Sequence, residues 1–360
     1  MKDNLTITSY NASFREEVVK LLAEFWNIDT ELADKFFQWK YLDNPWAQRP
    51  YIAVLLAGEK IVGMRGTYVL PLRLPSREDQ MLAGFFGDSL ILEDYRGHGH
   101  FHQLTEELMD VLHGDGIQIA LNTSATEPVH KTSVKHGWIS TDNYEVLSLK
   151  RDDPDQNQPL ISQLEDILDC IQPDGAGLLH FTNKIYLKPI LELVNRTQSD
   201  QDVQIHNDET YLRWRFTNPT QQYRFIYLFE GTAENADEIL SQPLLGFLVI
   251  ATNLQSIIKS GWIADWRCEN ASCLSSMLSL IRDINPYYEL AVLSPENNSS
   301  FLQVFQDNEF VPQAQPSFPV RTLVRMTENT TTPQEETRSL LDQLRSKTMW
   351  RHSAINLDSV

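Results

Sequence analysis

Apolar and polar positions alternate over residues 5–8, which predicts a short strand. Residues 14–26 carry Val18, Val19, Leu21, Leu22 and Phe25 at helical spacing, and residues 32–41 predict a second, aromatic-rich helix. Asn44-Pro45 closes that helix, because the residue before a proline is pushed out of the helical region. Residues 51–57 and 60–70 predict two strands joined by a Gly58-Glu59 hairpin turn. Residues 84–92 form an apolar-rich run ended by Glu93 and Asp94, and they read as a buried strand. After Arg96-Gly97-His98-Gly99-His100, the spacing of Phe101, Leu104, Leu108, Met109, Val111 and Leu112 predicts a helix over 101–112. A strand over 117–122, a short helix over 128–136 ended by Gly137, and a last strand over 144–150 complete the first half.

The second half repeats the first. A polar, acidic linker over 151–159 leads into a segment, 160–196, that reads as mostly helical. Then Trp39-Lys40-Tyr41-Leu42-Asp43-Asn44-Pro45 is echoed by Trp214-Arg215-Phe216-Thr217-Asn218-Pro219, one residue shorter. Residues 51–56 are echoed by 223–229, Ile61-Val62-Gly63 by Leu244-Leu245-Gly246, and Gly87-Asp88 by Ala264-Asp265. Residues 117–121 and the following helix are echoed by 288–292 and 298–310. Echoes in one order predict two copies of one fold: a first lobe over 1–150, a linker with helices over 151–205, and a second lobe over 206–326. The tail, 327–360, carries a short helix over 333–347.

The 360-residue chain is 42% hydrophobic, enough for well-filled cores. Its net charge of −19 argues against nucleic acid or an anionic membrane as partner. No run is long enough to span a membrane, and the first residues lack an apolar signal core. Cys170, Cys268 and Cys273 have no zinc spacing, and buried thiols in a reducing cytoplasm account for them.

The candidate chemistry lies between the strand over 84–92 and its helix. Free N–H groups at a helix start, aided by the helix dipole, suit a bound phosphate. Gly97 and Gly99 let the backbone approach an anion closely, and Arg96 adds a charge-assisted bond. The same Gly-x-Gly spacing also marks ordinary tight turns.

Arg96-Gly97-His98-Gly99-His100-Phe101 resembles motif A of the GNAT acyltransferases, Arg/Gln-x-x-Gly-x-Gly/Ala, with Phe101 in the last Gly/Ala place. A Phe there also occurs in a two-lobed branch of that superfamily. Residues 127–138 resemble motif B, with Gly137 and Trp138 matching and Ser133 where many members have a Tyr that protonates the departing thiolate. The resemblance implies an α+β chain of two GNAT-like lobes, each a mostly antiparallel central sheet flanked by helices. It implies that Arg96, Gly97, His98, Gly99, His100 and Phe101 hold the pyrophosphate of acetyl-CoA. It further implies that the strand holding Ile91 and Leu92 bonds the pantetheine arm. The implied activity is acetyl transfer to a primary amine of a small molecule or peptide, without a metal, by a monomer or homodimer. A non-catalytic CoA sensor on the same scaffold is the alternative.

Three further readings concern single residues. Asp88 lies in a strand that should be buried, so its carboxylate either serves the site as a base or satisfies neighbouring backbone; its echo Asp265 favours the structural role. His130 and Glu127 open a helix near the expected thioester, and His130 is the second candidate base. His98, His100 and His102 alternate, but a loop followed by a helix start splays them away from metal geometry. In the second copy Trp266-Arg267-Cys268-Glu269-Asn270 holds no glycine, so that copy is expected not to hold CoA.

Overall fold

The computed structural model describes residues 4–75, 77, 79–123, 125–141, 145–150, 168–198, 202–231, 236–254, 260–284, 289–295, 299–313, 322–327 and 334–345. The linker over 151–159 lies outside them. The first lobe runs β1 (Leu5–Ser9), α1 (Arg15–Trp26), α2 (Thr30–Phe37), β2 (Tyr51–Ala57), β3 (Lys60–Arg73) and β4 (Met81–Ile91). It continues with α3 (His100–Gly114), β5 (Ile119–Asn122), α4 (Glu127–Lys135) and β6 (Ile139–Ser140). Strands β1 to β4 are antiparallel neighbours, and β5 joins β4 in parallel. Helix α3 covers one face, where Leu104, Leu108 and Leu112 pack on Val62, Val69 and Phe86. Helices α1 and α2 cover the other, where Val18, Leu22 and Phe37 pack on Ile52, Val54 and Met64.

The second lobe repeats this plan with β11 (Gln221–Phe229), β12 (Leu244–Asn253), β13 (Ser260–Cys268) and β14 (Glu289–Leu293). The helix Ala271–Ile284 and the helix Ser300–Asp307 stand where α3 and α4 stand in the first. Both lobes therefore have mixed, mainly antiparallel sheets flanked by helices, as the repeat implies.

Two expectations need correction. Residues 160–196 read as mostly helical, yet β8 (Cys170–Asp174) and β9 (Gly177–Thr182) form a hairpin that pairs with β11. The signal was the Pro173-Asp174-Gly175-Ala176-Gly177 turn, where Asp174 Oδ1 accepts from Ala176 N–H at 2.9 Å. Only Leu187–Thr197 is helical, and residues 160–167 lie outside the described set.

The second correction concerns the end of the first lobe. β7 (Val146–Lys150), read as its last strand, pairs instead with β14 and β15 (Val311–Pro312) of the second sheet, while β10 (Gln204–Ile205) pairs with β3 of the first. In return β16 (Leu323–Met326), near the end of the chain, enters the first sheet between β5 and β6. Arg325 anchors it to α3 through a two-pronged ion pair with Glu106, the longer arm 3.0 Å. A strand's sequence reports its buried faces but not which sheet edge it joins. Val146, Leu147 and Leu149 are buried, and either edge would satisfy them.

The lobes also meet at a symmetric contact between echoed residues. Trp39 and Trp214 stack with ring centroids 4.7 Å apart and planes 8° from parallel. Each indole N–H donates to the other's carbonyl, Trp39 to Trp214 O at 2.8 Å and Trp214 to Trp39 O at 3.0 Å. Around them one continuous core takes Phe36, Tyr68 and Phe85 from the first lobe and Tyr211, Phe225 and Val249 from the second. Truncating either tryptophan removes a large buried side chain and orphans a carbonyl. Trp214→Ala is therefore expected to cost about 3–5 kcal/mol, read as a lowered midpoint in urea denaturation. It should do so in a single transition, because the exchanged strands make one unit of the two lobes.

Candidate active site

The site begins with a widened helical turn. After α2 the chain forms a π-helical turn over Gln38–Leu42, in which Asp43 N–H reaches back five residues to Gln38 O at 2.8 Å. Such a turn re-aims consecutive side chains, and here Trp39, Lys40 and Tyr41 are all buried. Lys40 and Tyr41 converge on Asp88. At that point Arg65 pairs with Ser89 and Gly66 with Gly87, leaving Asp88 as the extra residue of a β-bulge. Its φ is +35°, a conformation that costs a non-glycine residue on the order of 1–3 kcal/mol. The carboxylate accepts from Lys40 Nζ at 2.7 Å, from the Trp26 indole at 3.2 Å and from the Tyr41 hydroxyl in a close contact. Gly66 makes room, since a Cβ there would come within 2.0 Å of the Tyr41 hydroxyl.

Around the bulge the sheet opens. β4 and β5 pair only where Ala83, Gly84 and Phe85 meet Ile119, Ala120 and Leu121. From Phe86 to Ile91, β4 keeps its bonds to β3 alone. The gap is a cavity of about 570 Å³. β4 contributes Ser89 and Ile91, Leu92 follows, α3 contributes Phe101, and α4 contributes Pro128 and Val129. Glu24 and Phe25 of α1 close the far side.

The glycine loop lies at one end of this cavity. Gly97 and Gly99 have φ of +83° and +84°, left-handed values that disfavour any side chain, and a Cβ at either would meet nothing within 4 Å. Gly99 is the N-cap of α3 and has no side chain to accept the first-turn N–H groups. His102 N–H turns back to Gly99 O at 3.1 Å, so the N–H groups of His100 and Phe101, with the positive end of the helix, are the ones offered to an outside acceptor. Arg96 lines the same cavity, fixed by a bond from its Nε to Ile91 O at 2.8 Å.

The residues expected from sequence divide into two groups. Ile91, Leu92, Arg96 and Phe101 stand on the cavity wall, next to Gly97, His98, Gly99 and His100 of the loop. Asp88 is absent from the wall, its carboxylate fully buried against Lys40. His130 is absent too, its Nε2 being 2.9 Å from Ser140 Oγ on β6. Ser133 is buried inside α4. His102 stacks on His136 at 3.6 Å rather than on its alternating neighbours, and burial pushes it below the usual imidazole range against the pull of Glu106. Among the described residues no three metal-ligating side chains converge.

Sequence reasoning missed two charged residues of the wall, Glu24 and Arg65. Arg65 is fully buried on β3 within an otherwise apolar stretch, and burial pulls its pKa down to about 9. Its Cζ lies 4.1 Å from the ring centre of Phe101 and 4.9 Å from that of Phe86. A charged residue amid a strand buried on both faces was the available signal.

The second lobe closes the equivalent space. β13 and β14 pair only from Ser260 to Trp262, so a gap of the same kind opens. Trp266, at the place of Ser89, fills it edge-on against Phe301 and Phe305, 5.3 and 5.6 Å away. The left-handed residues Glu309 (φ +69°) and Gly137 (φ +85°) end the corresponding helices. That match sets Phe301 opposite Val129 and Phe305 opposite Ser133. No open loop precedes the helix here: β13 ends at Cys268, the helix starts at Ala271, and Asn270 Oδ1 caps Cys273 N–H at 3.1 Å.

No protein-family model and no curated protein sequence matches the chain. Solved structures do. A tandem GNAT protein from the clavulanic acid biosynthesis pathway is 12% identical over 91% of this chain and 100% of its own, with a TM-score of 0.57. A GCN5-related N-acetyltransferase from Anabaena variabilis is 14% identical over 90% of this chain and 73% of its own, TM-score 0.58. The Saccharomyces cerevisiae N-myristoyltransferase with bound myristoyl-CoA is 14% identical over 90% and 79%, TM-score 0.56. The chain thus has the GNAT fold in its tandem, two-lobed form, as its motifs and repeat imply.

Removing the charge from Asp88 leaves Lys40 buried without its counter-ion. Asp88→Asn is expected to destabilise the protein by about 3–5 kcal/mol, measured by urea denaturation. A midpoint unchanged from the parent's would show that the pair does not hold the bulge.

Proposed function

We propose that the first lobe binds acetyl-CoA and transfers its acetyl group to a primary amine. The observation that carries this reading is the coincidence of an opened sheet, an uncapped helix start and a 570 Å³ cavity joining them. The loop at Arg96–His100 and the first turn of α3 would take the pyrophosphate. The edge of β4 at Ile91 and Leu92 would take the pantetheine arm, freed by the departure of β5. The thioester supplies the activated acyl carbon, and attack by a neutral amine nitrogen forms the amide and expels the thiolate.

This chain's part in the reaction is to position the two reactants, exclude water and manage one proton. Glu24 stands on the cavity wall and is exposed, so it is the carboxylate placed to receive the proton of an incoming ammonium. Asp88, with its donors, holds the bulge that sets Ser89 against the cavity. Ser133 is a poor acid with a short reach, and the thiolate would be protonated by water or by the amine's own proton. That same feature favours a CoA-sensing protein without turnover as the second reading. Cys268 and Cys273 are buried, which fits a reducing cytoplasm.

Titration calorimetry tests the binding step. We expect one acetyl-CoA per chain, since Trp266 occupies the second gap; two equivalent sites would contradict this. Gly99→Glu should lose binding by a factor of about 100 or more, because a side chain at φ +84° and a like charge meet the phosphates. Retained affinity in the variant would mean that the loop is only a turn. Turnover with a panel of amines then separates enzyme from sensor.

A further inference from the structure

Arg65 poses a problem that the cofactor reading leaves unsolved. Its side chain is fully buried, and at neutral pH a group with a pKa near 9 is charged. Yet Nε, Nη1 and Nη2 have no hydrogen-bond partner among the described residues. A buried guanidinium is costly unless its donors are met. Phe86 and Phe101 offer ring faces, which offset part of that cost but accept no hydrogen bond of ordinary strength. Two positions along the same face of β3, the Thr67 hydroxyl is also buried with no hydrogen-bond partner among the described residues.

The surroundings of Arg65 define what it lacks. It borders the cavity together with Phe101, whose half-buried ring lies over the guanidinium. Of the two rings near the guanidinium, Phe101 lines the cavity and Phe86 does not. The edge of a guanidinium carries two parallel N–H groups that suit a planar pair of oxygens. The phosphate end of the cavity already has its own donors at Gly97 to His100. An apolar slot with a guanidinium at its base matches a carboxylate.

We propose that Arg65 is the carboxylate-binding residue of this cavity, covered by Phe101 until a ligand carboxylate displaces the ring. The inference rests on the acyl-CoA reading of the site. It deepens that reading: one of the two reactants carries a carboxylate, either on the acyl group, as in a dicarboxylic acyl-CoA, or on the amine acceptor. No cationic residue of the opposite strand competes for it, since Ser89 is Arg65's partner on β4.

Calorimetry on the parent and on Arg65→Met, a near-isosteric apolar replacement, tests this. One arm compares acetyl-CoA with malonyl-CoA and succinyl-CoA. The other titrates free malonate into protein saturated with CoA. A carboxylate on the acyl group is expected to give malonyl-CoA or succinyl-CoA roughly 10–100-fold tighter binding than acetyl-CoA. A carboxylate on the acceptor is expected to leave the acyl-CoAs equal and to give malonate binding to the CoA complex. In either case Arg65→Met abolishes the preference, and Arg65→Lys restores part of it. Meanwhile acetyl-CoA affinity stays within about threefold, and the melting temperature holds or rises, because an unpaired buried charge has gone. A purely structural Arg65 would show the opposite, a lowered melting temperature with no change in ligand preference. Acetyl-CoA binding with both carboxylate arms flat overturns the inference while sparing the acyl-CoA reading. Failure of the parent to bind any CoA thioester refutes that reading and the inference with it.

Discussion

Asp88 occupies a strained backbone position in the middle of a strand, and its carboxylate is held there by Lys40, Tyr41 and Trp26. These donors come from the end of α1 and from the π-helical turn after α2. One buried anion therefore ties the helical face of the first lobe to the strand that forms the cavity. The bulge it fixes changes the register of β4 against β3 within the stretch from Phe86 to Ile91 that runs without β5. The cost of burying a charge pair is accepted in return for one defined geometry.

The two lobes show what the same scaffold does with and without room at the opening. Ser89 is small and faces the gap, whereas Trp266 fills it against two phenylalanines. Gly97 and Gly99 make an open loop, whereas Asn270 caps its helix directly. The filled lobe still has a task. It lends β7's partner strand, receives the Trp39 stack, and supplies β16 to the sheet that carries the cavity. The exchange of strands makes the open lobe depend on the closed one for a strand inside its own sheet.

Much of this was legible in the chain. Helical periodicity located α1 and α3, the glycines located the loop, and the paired Trp-Arg/Lys and Asn-Pro echoes located the second copy. These signals are local, set by spacing and by backbone conformations that only glycine adopts readily. The exchange of β7 and β16 was not legible, because strand composition fixes burial but not the partner edge. The hairpin of β8 and β9 was hidden by its short strands and by a polar context that resembles a helical surface. Asp88 was legible as a buried carboxylate, but its donors lie 47, 48 and 62 residues away in sequence, on elements whose packing periodicity does not specify. Arg65 and Glu24 carry no motif, and only the cavity reveals them.

The first lobe keeps an open cavity where the second has filled the same space with side chains. Amide hydrogen exchange with and without acetyl-CoA tests it across the whole chain at once. Slowed exchange is expected over residues 89–103 and 126–131 on ligand binding, with residues 264–273 and 300–307 unchanged. Slowed exchange centred on 264–273, or equal protection in both lobes, would contradict it.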